Sequence, residues 1–378
     1  GYQGTVTLIG EEPYAPYQRP PLSKTYLLGD MALERLYLRP EELYRDQNIE
    51  LRLGTQVTAI DPVAGVISLG EETLAYDQLA LTTGSTPRLL PEAIGGRLQN
   101  VFAVRGLADV DAMRPAFERG GHVLIIGGGY IGLEAAAVAA KRGLKVTLVE
   151  MADRILQRVA CAETSDYFRA LHQSHGVTLL EGVGLSSLTG TDHVTGAILS
   201  NGATLDIDFA LVGVGIQPNT QLADAAGLTL NNGIETNALG QTSQSKIWAA
   251  GDCASFPYQG ERIRLESVPN AIDQAEVVAA NMLGAQKAYH ATPWFWSDQY
   301  DVKLQISGLN QGFENVVTRI GEAGRSHWYY KAGQVLAVDA MNDPRAYMVA
   351  KRLIEAGKTA DSALVADPSS DLKALLRG

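Results

Sequence analysis

The spacing in this chain with the clearest chemistry is Gly127-x-Gly129-x-x-Gly132, followed by Glu150. The apolar run His122–Ile126 leads into the glycines, and a helical pattern leads out of them. Such a turn brings bare backbone amides and the positive end of a helix dipole to one point, where a diphosphate can sit. Gly127 is expected to make the tight turn, Gly129 to let the backbone approach the diphosphate, and Gly132 to let helix pack close on strand. A second apolar run, Lys145–Val149, ends on Glu150, 23 residues after Gly127. A carboxylate there accepts from a ribose 2′-OH and repels a 2′-phosphate, which predicts NADH over NADPH. A later apolar stretch, Ile247–Ala250, ends in Gly251-Asp252. An acid at the carboxyl end of a parallel strand can accept from a polyol hydroxyl, although an Asp that merely caps a turn is the plainer alternative.

The elements that position these residues follow from the same pattern. Strand, glycine turn, helix, strand and carboxylate make one complete βαβ unit, closed by the strand-like Phe209–Gly215. Thr5–Ile9 reads as another strand, with Glu11 after it where Glu150 stands in the later unit, and with Gly4 before it as Gly143 stands before Lys145. Residues 1–12 therefore read as the second half of another dinucleotide unit. Its first strand, glycine loop and helix, roughly 25–30 residues, are absent from the given chain and are expected to precede Gly1. The chain then carries Pro20-Pro-Leu-Ser-Lys24 and the strand Gln78–Gly84. The last 90 or so residues alternate short β-like runs (303–307, 316–319, 328–330, 335–339) with a closing helix at 345–356. The fold class read from this is α/β, with two Rossmann-like dinucleotide-binding domains and a C-terminal α+β domain. The expected boundaries are 1–100 with 219–287, then 101–218, then 288–378.

Bulk properties narrow the function. The 378 residues, 46% apolar with 39 glycines, suffice for several domains and many tight turns. A net charge of −11 argues against nucleic-acid and anionic-membrane binding. Val123–Ala140 is long and apolar enough to span a bilayer, but it holds Glu134 and the glycine turn, and is assigned to the nucleotide fold. The two cysteines, Cys161 and Cys253, form no CxxC, so no local redox disulfide is expected, and a reducing, cytoplasmic setting fits. The six histidines show no metal-binding pattern, and no metal is expected. His172 and His175 are expected in a solvated last helical turn.

Four motifs, in order along essentially the whole chain, carry a resemblance: Pro16-Tyr-Gln-Arg-Pro-Pro-Leu-Ser-Lys24, Gly127-Gly-Gly-Tyr-Ile-Gly-Leu-Glu134, Glu266-Ser-Val-Pro-Asn270 and Pro293-Trp-Phe-Trp-Ser-Asp-Gln-Tyr300. With them the chain resembles the oxygenase-coupled NADH–ferredoxin reductases, within the glutathione-reductase class of flavoproteins. The resemblance implies FAD in the first domain and NADH in the second. It matches Glu11 to the acid on the FAD ribose, Lys24 to a lysine beside the flavin, and Val57 and Arg105 to FAD contacts. It matches Asp252 to the ribityl-binding aspartate, Val268 to a backbone contact with the ring, and Trp296 to an aromatic beside the isoalloxazine. Gly127, Gly129, Tyr130, Ile131, Gly132, Glu150 and Gly215 would line the NAD site. Glu134 would reach the nicotinamide side and pair with Lys24. Lys24, Glu134 and Trp296 are the residues implied to serve catalysis.

The implied reaction is hydride transfer from NADH to FAD, then one-electron transfer to a 2Fe–2S ferredoxin or a rubredoxin that supplies an oxygenase or a cytochrome P450. Each match has a plainer alternative: an exposed Lys24 on a rigid loop, Glu134 as a first-turn charge, Trp294 and Trp296 as core. Alternation puts those two tryptophans on one face and Phe295 on the other. Arg319, Arg325, Lys331, Arg345, Lys351 and Arg352 are candidates to face an acidic ferredoxin, with ordinary solvated charge as the alternative. Two other functions share the fold. A NADH oxidase or peroxidase would need a reactive cysteine near Ser23-Lys24-Thr25, and there is none. A flavoprotein resembling apoptosis-inducing factor would sense NADH and act through protein interaction. Oligomeric state is left open by the sequence.

Overall fold

The computed structural model describes residues 2–322 and 324–377. Gly1, the junction to the expected missing unit, lies outside them. The chain divides into two compact units, Gly1–Thr86 with Gln217–Ala291, and Pro87–Ile216 with Thr292–Gly378.

In the first unit, the strand Val6–Ile9 pairs in parallel with Ile49–Arg52, and Leu79–Leu81 pairs in parallel with Ile247–Ala249. Three antiparallel strands, Ala59–Asp61, Val66–Leu69 and Glu72–Ala75, form a separate small sheet. A common core joins these pieces: Ile60, Ile67, Leu81, Ile234, Ile247 and Ala249 are buried together, with Ile9 and Val57 packed against them. Each such fully buried aliphatic side chain contributes ~1.5–3 kcal/mol. A helix spans Val268–Met282. It starts there because Ser267 is the cap, its hydroxyl accepting from Asn270 N, and Pro269 in the first turn needs no N–H partner.

The second unit holds a five-stranded parallel sheet in the order Thr178–Glu181, Lys145–Glu150, His122–Ile126, Phe209–Val212, Val101–Ala103. His122–Ile126 is central and buried throughout, which explains its unbroken apolar run. The helix Tyr130–Lys141 follows it. A three-stranded antiparallel meander (Leu185–Gly190, Val194–Leu199, Thr204–Asp206) lies between the parallel strands in sequence. Its burial does not alternate cleanly, so it leaves a weak sequence signal. The C-terminal sheet is antiparallel, in the order Trp294–Gln299, Val302–Gly308, Gln334–Met341, Arg325–Lys331, Asn315–Ile320. The helix Pro344–Glu355, capped by Asp343, buries Ala346, Val349 and Leu353 against Trp328 and Val338.

Two expectations are corrected here. His172 is not in a solvated turn: it is fully buried, its Nε2 2.8 Å from Gln299 Oε1, because the C-terminal sheet covers this end of the helix Ala162–Ser174. Only its neighbour His175 is exposed, stacked on Tyr300 at 3.7 Å. Arg319 is not available to a partner: it is buried, and its guanidinium donates to the carbonyls of Val365, Asp367, Pro368 and Ser370. The two terminal nitrogens of the rigid guanidinium fork close the C-terminal loop onto the sheet.

Candidate functional site

All five strands of the sheet in the second unit are parallel, so their carboxyl ends share one edge. Gly127, Glu150 and the Gly213–Gly215 loop leave the sheet there. The three fingerprint glycines differ in what they avoid. A Cβ on Gly127, whose φ is +109°, would meet Gly213 O at 2.4 Å. One on Gly132 would meet Gly127 O at 2.0 Å, so helix and strand touch through bare backbone. One on Gly129 would meet nothing within 4 Å: the fold does not need this glycine, and the space it leaves is open. Gly129 is also the N-cap of a twelve-residue helix whose first turn has no capping side chain. Uncapped amides beside open space fit a diphosphate. Ile131 in that turn is 42% exposed, an apolar surface beside the same opening.

Glu150 is half-buried at the end of its strand. Its Oε2 accepts from Gly128 N at 2.7 Å and its Oε1 from Ala152 N at 2.8 Å. Each oxygen keeps a second lone pair for a ribose hydroxyl, and the two bonds fix the carboxylate against the glycine loop. Gly215, at φ +103°, accepts from Arg88 N at 2.9 Å.

Glu134 is not a first-turn charge. It lies one turn into the helix, 7% exposed, and its Oε1 accepts from Ser297 Oγ at 2.7 Å. The strand Trp294–Gln299 runs along this helix. Its Phe295 packs on Tyr130, with ring centroids 4.8 Å apart, and its Ser297 meets Glu134. The match is geometric: residues i, i+2 on a strand and i, i+4 on a helix are spaced by about 6–7 Å each. Trp294 and Trp296 point to the other face and stack at 5.6 Å; Trp294 continues onto Tyr347 and Lys351. The expected alternation holds.

In the first unit, Glu11 is exposed just past the strand Val6–Ile9. Residues after Arg52 fold back over that strand end, with Gly54 N donating to Glu12 O and Thr55 N to Gly10 O. This brings Val57 into the same region, half-buried. Asp252 ends the adjacent strand system in a short 3₁₀ turn. Its Oδ2 accepts from Ser85 Oγ at 2.9 Å, and the neighbouring Gly251 N donates to Gln274 on the helix Val268–Met282. A Cβ on Gly251 would meet Ala271 Cβ at 3.6 Å, so the Asp252 turn also lies against the first turn of that helix. Val268 is 39% exposed at this N-terminus. Lys24 is half-buried, in a short π-helical segment Leu22–Tyr26 rather than a plain loop. An exposed Glu11 and a half-buried Asp252, each past a parallel strand, fit a second dinucleotide. Arg105, whose N–H donates to Asp109, and Trp296 fall in the second unit.

Ser85, Ser297 and Gln299 have no expected role in the sequence, and His172 is read there only as a solvated residue. The alternation that separates Phe295 from its tryptophan neighbours also puts Ser297 and Gln299 on the Phe295 face, and that signal was readable. Both cysteines are buried, and burial pushes each thiol above its usual range.

Comparison with known proteins identifies the family. Residues 1–275 match the family model of the pyridine nucleotide-disulphide oxidoreductases, and residues 294–376 match a reductase C-terminal domain. The chain is 39% identical to putidaredoxin reductase of Pseudomonas putida, over all of this chain and 92% of that protein. A ferredoxin reductase from Rhodopseudomonas palustris superposes with a TM-score of 0.95 at 40% identity, covering 99% of this chain and 93% of that one. A covalent putidaredoxin reductase–putidaredoxin complex gives the same TM-score at 39% identity, covering 100% of this chain and 93% of that one. The chain belongs to the pyridine nucleotide-disulphide oxidoreductase family, among the members that end in a reductase C-terminal domain.

Proposed function

We propose that this chain is a NADH-dependent flavoprotein reductase that passes electrons to a small iron–sulfur protein, a 2Fe–2S ferredoxin or a rubredoxin serving an oxygenase or cytochrome P450. The observation that carries the nucleotide half is the open, uncapped Gly129–Gly132 turn with Glu150 fixed beside it. The acceptor is inferred from the names of the relatives, one of them caught in complex with putidaredoxin. When bound, the nicotinamide would supply the hydride chemistry and FAD the conversion from two-electron to one-electron transfer. The residues of this chain bind and orient. The amides at the start of the helix Tyr130–Lys141 receive the NADH diphosphate, with Tyr130, Ile131 and Gly215 around it. Glu150 receives the adenosine ribose and disfavours a 2′-phosphate. Glu11 and Asp252 receive FAD hydroxyls, Val57, Arg105 and Val268 contribute further FAD contacts, and Trp296 covers the ring. Lys24 sets the charge beside the flavin, and Glu134 orients the nicotinamide.

The proposed FAD domain is 1–100 with 219–287, the NAD domain 101–218 and the C-terminal domain 288–378. Two buried thiols with raised pKa values supply no nucleophile, so electrons leave to an external acceptor and not through a protein disulfide. A cytoplasmic location suits a consumer of NADH. Among the described residues no helix is long and apolar enough to cross a membrane.

The test is a visible spectrum of the purified protein, taken before and after anaerobic NADH, with NADPH in parallel and a 2Fe–2S ferredoxin added last. Flavin bands that bleach faster with NADH, followed by reduction of the ferredoxin, are expected. A protein that takes up FAD but leaves every iron–sulfur acceptor oxidised would overturn the acceptor assignment. One that takes up no FAD would overturn the flavoprotein reading.

A further inference from the structure

Behind Glu134 lies a continuous file of hydrogen bonds that the nucleotide fold does not require. Ser297 Oγ is 2.7 Å from Glu134 Oε1, Gln299 Nε2 is 3.2 Å from Ser297 Oγ, His172 Nε2 is 2.8 Å from Gln299 Oε1, and Tyr300 Oη is 3.1 Å from His172 Nδ1. Ser297, Gln299 and His172 are completely buried, while Tyr300 is half-buried and stacks on the exposed His175.

Donor and acceptor inventories fix the direction of every bond. A carboxylate only accepts, so the single Ser297 proton goes to Glu134. Ser297 Oγ must then accept, and the Gln299 amide donates to it. The carbonyl end of Gln299 accepts, which places the His172 proton on Nε2 and leaves Nδ1 as acceptor for the Tyr300 hydroxyl. Five groups thus point one way, each polarised by the one behind it. This order needs a neutral imidazole, and burial holds the His172 pKa down at about 4.

A second observation concerns the origin of the file. Tyr300 opens the two-residue hairpin loop between Gln299 and Val302, with φ +57°. That conformation favours Gly or Asn, and costs a tyrosine stability. A residue held there against its backbone preference is held by its side chain, through the His172 bond and the His175 stack.

We propose that Ser297, Gln299, His172 and Tyr300 are positioning residues for the nicotinamide, acting through Glu134, whose carboxylate they hold in one orientation through the bond to Oε1. This rests on the proposed role of Glu134. Of these four residues the serine is the one bonded to the carboxylate, so among them it should matter most.

The experiment measures NAD⁺ affinity by equilibrium titration, without turnover, alongside the rate of flavin reduction by NADH. It uses Ser297→Ala, Ser297→Thr, Gln299→Met and Glu134→Ala, and the doubles with Glu134→Ala. Ser297→Ala should weaken NAD⁺ binding and slow reduction by roughly tenfold, the lower end of the scale of one hydrogen bond to a charge. Ser297→Thr, which keeps the hydroxyl, should restore both, and Gln299→Met should fall between. In the Glu134→Ala background neither substitution should add anything. If Glu134→Ala leaves affinity and reduction unchanged, the role of Glu134 falls and the positioning file falls with it. If Glu134→Ala impairs both while Ser297→Ala does not, or their effects simply add, Glu134 stands and the file is only structural. Should Ser297→Ala fail to fold, Ser297→Cys, a near-isostere with a weaker donor, must give an intermediate loss; parental affinity in that variant would overturn the proposal.

Discussion

Asp339 offers a quantitative test of how the C-terminal sheet joins the nucleotide domain within the second unit. It is 1% exposed and lies among groups from both parts. Thr164 Oγ1 donates to its Oδ2 at 2.7 Å, the Tyr329 hydroxyl donates to the same oxygen, and Oδ1 has no hydrogen-bond partner among the described residues. Tyr329 also accepts from Cys161 N at 2.9 Å. Burial raises the Asp339 pKa from 3.8 to about 6, against the two hydroxyls, which lower it. Between these values the unfolded chain has lost the proton and the folded chain keeps it. The folded state then binds more protons, so this group's contribution to stability falls as pH rises from about 4 to about 6. At ~1.4 kcal/mol per pH unit, the full loss is ~3 kcal/mol.

His172 and His327 tilt the other way. Burial holds both near pKa 4, below the ordinary 6.5, so they lose stability as pH falls through that window. The parent protein alone would therefore hide the effect, and the comparison must be with Asp339→Asn, which is neutral at every pH and retains an acceptor for Thr164 and Tyr329. Urea unfolding followed through the buried Trp328 reports on the same sheet. The variant should gain ~2–3 kcal/mol on the parent between pH 4 and pH 7. A difference independent of pH, or a variant that loses ground as pH rises, would refute the reasoning, because the hydroxyls would then stabilise the anion more than burial penalises it.

Other expectations concern the nucleotide site and the C-terminal clasp. Gly129→Ala should leave the unfolding midpoint unchanged, since its Cβ meets nothing, yet weaken NADH binding about tenfold or more by intruding on the diphosphate. Gly132→Ala should do the reverse in the first instance, costing ~3 kcal/mol in urea unfolding as its Cβ drives helix from strand. Glu150→Ala should shift the ratio of kcat/KM for NADPH over NADH upward by roughly tenfold, the value of one charged hydrogen bond. Arg319→Met should cost ~3 kcal/mol or more in unfolding by orphaning four carbonyls, Arg319→Lys should recover only part, and the KM of folded Arg319→Met for a ferredoxin should match the parent.

The sequence alone determined the parts whose cause is local. A glycine at Gly127 or Gly132 is demanded by backbone geometry within a few residues, and a strand covered on both faces, such as His122–Ile126, must be apolar throughout. Those constraints give a fixed spacing, so the βαβ unit, its acid and four of the five C-terminal strands were legible, three of those four to within two residues, while Arg325–Lys331 begins three residues before the expected run and Trp294–Gln299 was not expected as a strand. Only the tertiary structure decided the fates of His172 and Arg319. Both look like surface residues on their own elements, and each is buried by a segment more than forty residues away, Gln299 for one and the 365–370 loop for the other. The same holds for Ser297, whose role depends on which helix its strand lies against. Periodicity tells which face of an element a side chain takes; what meets that face is settled by packing, where a long-range hydrogen bond or a covering strand turns a solvated polar group into a buried one.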